Sequence, residues 1–151
     1  MGDVKECKKA AKKAMDLLLR QDRTKKELQE RLYRSGFSEE ASRYAIEYVE
    51  GFGYINDRRY AENYIAFHKG SRSRKELRYK LAGKGIPDDI LVETLMEYTA
   101  EDEEQALSEQ IKKRLKGRRP EVLEQSERNK IVRYLAQKGF GLSAIKRQIE
   151  I

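Results

Sequence analysis

The feature that most constrains the fold is a phrase that the sequence contains three times. Its copies are TKKELQERLYRSGF, SRKELRYKLAGKGI and ERNKIVRYLAQKGF. The repeated positions are Leu28, Leu32, Gly36 and Phe37, then Leu77, Leu81, Gly85 and Ile86, then Ile131, Leu135, Gly139 and Phe140. The copies stand about fifty residues apart, a period typical of duplicated supersecondary units. We therefore expect three related units in series.

Each phrase has the pattern of a short amphipathic helix with marked ends. In a capping box, a hydroxyl and a carboxylate satisfy free backbone amides at the start of a helix. The candidate caps are Thr24 with Glu27, Ser73 with Glu76, and Ser126 or Glu127 in the third copy. Apolar residues four positions apart mark a buried stripe, and the following glycine fits the left-handed position that ends a helix.

Further helices are predicted before and after each phrase. Ser38 and Pro87 begin the later helices, and the acids that follow them suit a helix N-terminus. Amphipathic stretches precede the phrases at residues 3–20, 57–68 and 101–115. In the first of them we expect one apolar side formed by Ala11, Met15, Leu18 and Leu19.

No segment alternates polar and apolar residues convincingly, so we predict no sheet. The fold class expected is all-α, with three tandem three-helix repeats at residues 1–52, 53–100 and 101–151. A unit of this size buries little surface alone, so contacts between neighbouring repeats should supply part of the stability.

Charge and cysteine content narrow the functional classes. The formal net charge of the 151 residues is +7, which favours polyanionic or acidic partners. The single cysteine, Cys7, cannot form an intramolecular disulfide and fits a reducing compartment. Neither a membrane-length apolar run nor a signal-peptide core is present, so we expect a cytoplasmic protein with no membrane partner.

The sequence contains no recognisable arrangement of catalytic groups. His68 is the only histidine, so no histidine-based metal site is available. The acids from Glu101 to Glu104 are explained by a helix start, where they complement the dipole. The glycines are helix terminators and no phosphate-binding loop motif occurs. We therefore expect no enzyme activity, no metal and no cofactor.

Two basic clusters are the candidate binding residues. The first contains Lys69, Arg72, Arg74, Lys75, Arg78, Lys80 and Lys84, and the second contains Lys112, Lys113, Arg114, Lys116, Arg118 and Arg119. On a helix, Arg74 and Arg78 share a side while Leu77 and Leu81 turn inward. These cations are either a solvated face or a surface that binds acidic protein or phosphates without sequence preference.

The aromatic residues of the middle repeat have two readings. Tyr54, Tyr60 and Tyr64 could stack on bases, but the spacing of Tyr60 and Tyr64 favours core packing. Tyr54 is expected to pack in the turn between repeats. Asp57 is predicted to start a helix, and Asn56 competes with it for the cap.

The middle of the chain, GFGYINDRRYAENYI, resembles the most recognisable segment of the RecX family. The matching positions are Gly53, Tyr54, Ile55, Asp57, Tyr60, Ala61 and Tyr64, followed by Leu81 and Gly85, and by Leu135 and Gly139 near the end. The resemblance covers roughly residues 24–150, with the copies in the family's order.

The resemblance implies a regulator of the bacterial recombinase RecA, with its repeats in an elongated, curved array. Such proteins bind the RecA–DNA filament and restrain its extension, ATP hydrolysis and strand exchange in DNA repair and the SOS response. Contact with single- or double-stranded DNA through the basic faces and a monomeric state are further expectations.

Two alternatives remain open: a general nucleic-acid-binding helical repeat protein, and a helical scaffold with no DNA role. The acids that open the second helices, at 39–40 and 88–89, disfavour insertion of those helices into a major groove.

Overall fold

The computed structural model describes residues 3–149, which form nine α-helices and one 3-10 helix. The α-helices are α1 (Val4–Arg20), α2 (Lys25–Arg34), α3 (Glu39–Gly51), α4 (Asp57–His68), α5 (Arg74–Gly83), α6 (Asp88–Leu95), α7 (Ala100–Leu115), α8 (Gln125–Gln137) and α9 (Leu142–Ile149). The 3-10 helix is Pro120–Val122. No strand occurs within residues 3–149, which confirms the all-α prediction. The outermost residues of the predicted first and third repeats, at 1–2 and 150–151, lie outside the described residues.

The predicted caps of α2 and α5 are present. Thr24 and Glu27 form a reciprocal capping box, with both hydrogen bonds at 3.1 Å. Ser73 accepts a hydrogen bond from the backbone N–H of Glu76 at 3.1 Å. Because these bonds satisfy amides that a helix leaves unpaired, they fix where each helix begins.

The predicted cap of α8 is wrong. This helix begins at Gln125, and Glu124 precedes it without a side-chain cap, so neither Ser126 nor Glu127 has the expected role. The physical reason is the 3-10 helix that leads directly into α8. The guanidinium of Arg128, a residue of α8, donates to the backbone oxygen of Pro120 at 2.8 Å. This bond holds the 3-10 helix against the start of α8.

The three repeated phrases end in the same turn. Gly36, Gly85 and Gly139 have φ angles of +94°, +90° and +99°, values that glycine adopts without steric cost. In each turn the apolar residue after the glycine donates its N–H to the backbone oxygen of the leucine five residues back, at 3.1–3.2 Å. These acceptors are Leu32, Leu81 and Leu135. This is the Schellman motif predicted from the glycines, and it turns that apolar residue back onto its own helix.

The chain divides into two compact units. The first comprises the residues up to Asn63 with Leu81–Leu91, and the second comprises Tyr64–Lys80 with the residues from Val92 onward. Helices α4, α5 and α6 therefore contribute residues to both units. The predicted repeat boundaries and the curved, elongated shape stay predictions.

Each unit has its own apolar core. In the first, the buried residues include Ala10, Ala14, Leu17, Leu28, Leu32, Ala45, Val49 and Ile55. In the second, they include Ala106, Leu107, Ile111, Ile131, Leu135, Phe140, Ile145 and Ile149. The apolar side predicted for α1 is partly wrong, because Leu19 is 82% exposed and Leu17 is buried in its place. Because Leu17, Leu18 and Leu19 are consecutive, the sequence permits a buried side of α1 that contains either Leu17 or Leu19. Packing against α3 buries the side that contains Ala10, Ala14 and Leu17.

The same joint links equivalent helices of successive repeats, once within each unit. In the first unit, the hydroxyl of Thr24 at the start of α2 donates to the backbone oxygen of Lys84, after α5, at 2.6 Å. In the second unit, the hydroxyl of Ser73 donates to the backbone oxygen of Lys138, after α8, also at 2.6 Å. Each hydroxyl therefore caps its own helix and also donates to a backbone oxygen just after the equivalent helix of the following repeat.

A carboxylate completes each joint. The N–H of Lys25 donates to Asp57 at 2.9 Å, and the N–H of Arg74 donates to Glu103 at 3.1 Å. Each acceptor stands in the first turn of the helix that opens the following repeat. The N-terminus of one helix thus contacts two groups of the next repeat: a carboxylate accepts a backbone N–H, and a backbone oxygen accepts the capping hydroxyl. The second contact explains why the phrase begins with a hydroxyl residue in its first two copies.

Candidate functional site

Helix α5 presents cations on its exposed side. Leu77 and Leu81 are fully buried on the opposite side. The exposed cations are Arg74, Lys75, Arg78 and Lys80. Among them Tyr79 is 78% exposed, which adds an aromatic ring to the basic face. We call these four cations and Tyr79 the α5 basic face.

Arg72 belongs to the same sequence cluster but has a different environment. Its guanidinium donates to the hydroxyl of Tyr64 at 2.8 Å and lies 3.8 Å from the carboxylate of Glu76. Its backbone oxygen accepts a hydrogen bond from Tyr98 at 2.6 Å. Burial of Tyr98, followed by the nearby carboxylate of Glu103, raises the pKa of this phenol, so it stays a donor. Arg72 is therefore held mainly by contacts inside the second unit.

Lys84 is also committed to structure. Its ammonium lies 3.4 Å from the carboxylate of Glu27 and 5.9 Å from the centre of the Tyr60 ring. Burial alone would lower the pKa of Lys84, but the carboxylate of Glu27 and the hydroxyl of Tyr60 together outweigh it and the pKa is raised. Lys84 belongs to the first unit, whereas the α5 basic face belongs to the second.

The second basic cluster divides in the same way. Lys112, Lys113 and Arg119 are exposed. Arg114 lies over the ring of Tyr134, 4.0 Å from its centre. Arg118 pairs with Glu127 at 2.9 Å and donates to a backbone oxygen at the end of α7.

A cavity of about 280 Å³ in the second unit brings members of both clusters together. Its charged lining residues are Arg72, Lys113, Lys138 and Glu76. A neighbouring groove of about 360 Å³ is lined by Lys75, Tyr79, Lys80 and Lys138, among others. Lys138 was not predicted as a binding residue because it stands 58 positions or more from the α5 cations and only the joint at Ser73 brings it near.

The residues that match the family motif have mainly structural environments. Ile55 and Ala61 are buried, as are Leu81 and Leu135 in the later copies. Gly53 ends α3 with a φ of +74°. Tyr60 and Tyr64 are half-buried beside Lys84 and Arg72.

The prediction that Tyr54 packs in the turn is wrong. The ring is 47% exposed and stacks on Phe52, with ring centres 5.9 Å apart. Ile55, the next residue, is buried in the core of the first unit instead.

Of Asn56 and Asp57, the two candidates for the N-cap of α4, Asn56 is the cap and Asp57 bonds another helix. Asn56 caps α4 by accepting from the N–H of Arg59 at 3.0 Å. Asp57, only 7% exposed, accepts from the N–H of Lys25. Burial raises the pKa of Asp57, although that backbone hydrogen bond acts in the opposite direction.

The buried position of Asp57 predicts that the free energy of unfolding depends on pH. Because the folded state raises its pKa, the carboxyl favours folding at low pH, and this contribution is lost as pH rises through the raised pKa. Asp57→Asn keeps an acceptor for Lys25 without a buried charge. We therefore expect the free energy of unfolding of Asp57→Asn, relative to the parent chain, to increase from about pH 4 upward and then level off.

Urea unfolding followed by circular dichroism at several pH values measures this difference. Asp57→Ala is the matched control: it also removes the titrating carboxyl, so it should follow the pH dependence of Asp57→Asn, but it leaves the Lys25 N–H unpaired and should be less stable than Asp57→Asn by about 1–3 kcal/mol. A relative stability of Asp57→Asn that falls with pH would contradict the assignment.

Within residues 3–149, no group of three His, Cys, Asp or Glu side chains is arranged to hold a metal ion. None of the helices in that range combines the length and apolar character needed to cross a membrane.

The fold and its basic surfaces define a class of protein: a tandem three-helix repeat protein whose candidate sites are cationic binding surfaces. Three family models match in chain order, described as the first, second and third three-helix domains of RecX, at residues 10–48, 56–95 and 101–149. The chain belongs to the RecX family of regulatory proteins.

Curated relatives agree with this assignment. The regulatory protein RecX of Chlorobium phaeobacteroides is 34% identical, over 92% of this chain and 93% of the relative. That of Amycolatopsis mediterranei is 34% identical, over 88% of this chain and 77% of the relative. The Clostridium perfringens relative is 31% identical over 89% of this chain, and the match spans 63% of its own length.

Solved structures share the fold. The crystal structure of RecX from Lactobacillus salivarius has a TM-score of 0.80 and 25% identity, and the match covers 98% of this chain and 97% of that one. A second crystal structure, of a regulatory protein RecX, has a TM-score of 0.81 over 96% of this chain and 73% of that one.

Proposed function

We propose that this chain binds the RecA–DNA filament and inhibits or modulates recombinase activity. Its curated relatives carry the name regulatory protein RecX, which supports a regulatory role. The proposal extends that role to filament extension, ATP hydrolysis and strand exchange. A monomeric, cytoplasmic protein is part of the same proposal.

The observation that carries the proposal is the α5 basic face. Its cations are exposed while the leucines of the same helix are buried, so they are available to an anionic surface. A filament offers both acidic protein surface and DNA phosphates. Exposed cations speed encounter with such a polymer, and several weak contacts over one face add to a stable complex.

A general nucleic-acid-binding protein is the principal rival. Its second helices would enter a groove by their N-termini, yet α3 begins with exposed Glu39 and Glu40, and α6 begins with exposed Asp88 and Asp89. These carboxylates would repel phosphates at the point of entry. Groove insertion is therefore disfavoured, and the α5 face is the better candidate for anionic contacts.

Co-sedimentation with RecA, with and without single-stranded DNA, tests the proposal. We expect more of the chain to sediment with RecA filaments formed on DNA than with the same DNA free of RecA at the same salt. Equal recovery on bare DNA would favour the general nucleic-acid-binding protein. Recovery with neither would favour a scaffold with no DNA role.

A further inference from the structure

Helix α3 and the turn after it carry a row of exposed aromatic rings in the first unit. The rings belong to Tyr44, Tyr48, Phe52 and Tyr54, and they are 41–61% exposed. Consecutive ring centres are 6.2, 5.0 and 5.9 Å apart, and the first and last pairs are nearly parallel, at 25° and 21°. We call these four residues the aromatic row.

Core packing does not account for the row. The buried side of α3 is formed by Ala41, Ala45 and Val49, each fully buried. The first three rings follow one another at four-residue spacing, so they form a separate stripe beside the core side. Single exposed aromatic residues are ordinary, but a contiguous stripe of large apolar groups marks an interaction surface.

Cations border the row. A groove of about 350 Å³ between α1 and α3 is lined by Lys8, Lys12, Ala11 and Met15 from α1, and by Tyr44 and Tyr48 from α3. Helix α1 as a whole carries six lysines and arginines against two acids. The rings therefore lie beside a cationic helix, while α3 itself carries four exposed acids, Glu39, Glu40, Glu47 and Glu50.

We propose that the aromatic row binds single-stranded nucleic acid, with bases stacked on the rings and phosphates beside Lys8 and Lys12. A positive groove next to successive aromatic rings is the combination that single strands use, because every base has a stacking face. If a second copy of the chain bound the row through apolar contacts, the lysines beside the rings would have no role. An acidic peptide would use the lysines but has no need of several ring faces in line.

This site is separate from the α5 basic face and does not depend on contact with RecA. All four rings and both lysines lie in the first unit, whereas the α5 basic face lies in the second. The test is therefore made with the free chain and without recombinase, so that failure of one proposal leaves the other standing.

Fluorescence anisotropy of a labelled oligothymidylate, titrated with the full chain, is the measurement. Removing two stacking rings in Tyr44→Leu/Tyr48→Leu should weaken binding at least tenfold, since leucine keeps apolar bulk but offers no stacking face. The matched control, Tyr44→Phe/Tyr48→Phe, keeps both rings and should bind within about twofold of the parent. Circular dichroism checks that both variants remain helical.

A second variant tests the phosphate contacts. Lys8→Glu/Lys12→Glu should weaken binding and also flatten the dependence of affinity on salt, because fewer counterions are released. An oligouridylate titration then distinguishes DNA from RNA as the strand preferred.

Three results would overturn the proposal. One is unchanged affinity in Tyr44→Leu/Tyr48→Leu, which would remove the rings from the site. Another is displacement of the oligonucleotide by polyglutamate at equal charge concentration, which would indicate an acidic peptide. The third is self-association of the parent chain in sedimentation that the leucine variant abolishes, which would assign the row to a second copy.

Discussion

Replacing Gly85 by alanine should lower the free energy of unfolding by about 2–5 kcal/mol, whereas Gly36→Ala should lower it by only about 1–2 kcal/mol. The two glycines have nearly the same φ, +90° and +94°, so alanine suffers similar backbone strain at both. A methyl group at Gly36 meets no atom within 4 Å, but one at Gly85 overlaps the side chain of Lys26 near its root.

The difference between these variants measures the joint between α2 and α5. The overlapping atom in Lys26 is its own Cβ, which cannot move unless α2 shifts. Such a shift would also stretch the hydrogen bond from Thr24 to Lys84. Urea unfolding followed by circular dichroism gives both values. Equal losses of stability would mean that the close approach at Gly85 is relieved without cost.

Gly139→Ala tests the equivalent joint, between α5 and α8, in the second unit. A methyl group there would lie 2.5 Å from the hydroxyl of Ser73, the group that bonds Lys138. Gly139→Ala should therefore resemble Gly85→Ala rather than Gly36→Ala. Agreement between the two joints would support their equivalence.

Reversing the charge of Arg74, Lys75 and Arg78 to glutamate should raise the concentration needed to inhibit the DNA-dependent ATPase of RecA at least tenfold. These side chains are exposed, so the helical content should remain that of the parent. Lys84 is excluded from the variant because it pairs with Glu27, and its reversal would place two carboxylates together. The effect should shrink as salt increases, since screening weakens the lost contacts.

The control for this variant carries the same change of net charge at other exposed cations. Lys130, Arg133 and Lys146 are exposed and lie outside the α5 basic face. Their reversal should reduce inhibition by no more than about twofold if the α5 face is the contact surface. Equal losses in both variants would attribute the effect to overall charge, and unchanged inhibition in the first would reject this surface.

Local sequence signals predicted the helices well. Thr24 and Ser73 cap their helices, and Gly36, Gly85 and Gly139 end theirs, because capping and turn formation involve groups within five residues of one another. The prediction for α8 was wrong because a 3-10 helix replaced the expected cap.

The candidate site was less predictable. The sequence identified the basic clusters, but could not tell that Arg72, Lys84, Arg114 and Arg118 are held by partners while others of their clusters remain exposed. The aromatic row was visible as tyrosines and a phenylalanine at four-residue spacing. Such spacing is more often that of a core, and only the packing of α1 on α3 leaves the rings outside.

By itself, the sequence determined the all-α class, the threefold phrase and the positions where most helices begin and end. Those properties depend on backbone conformation and on neighbours one turn away. The tertiary structure alone decided which cations are free, which side of α1 is buried, and that the cap of one helix bonds the end of another. These outcomes depend on groups such as Thr24 and Lys84, which are 60 residues apart and meet only after the chain has folded.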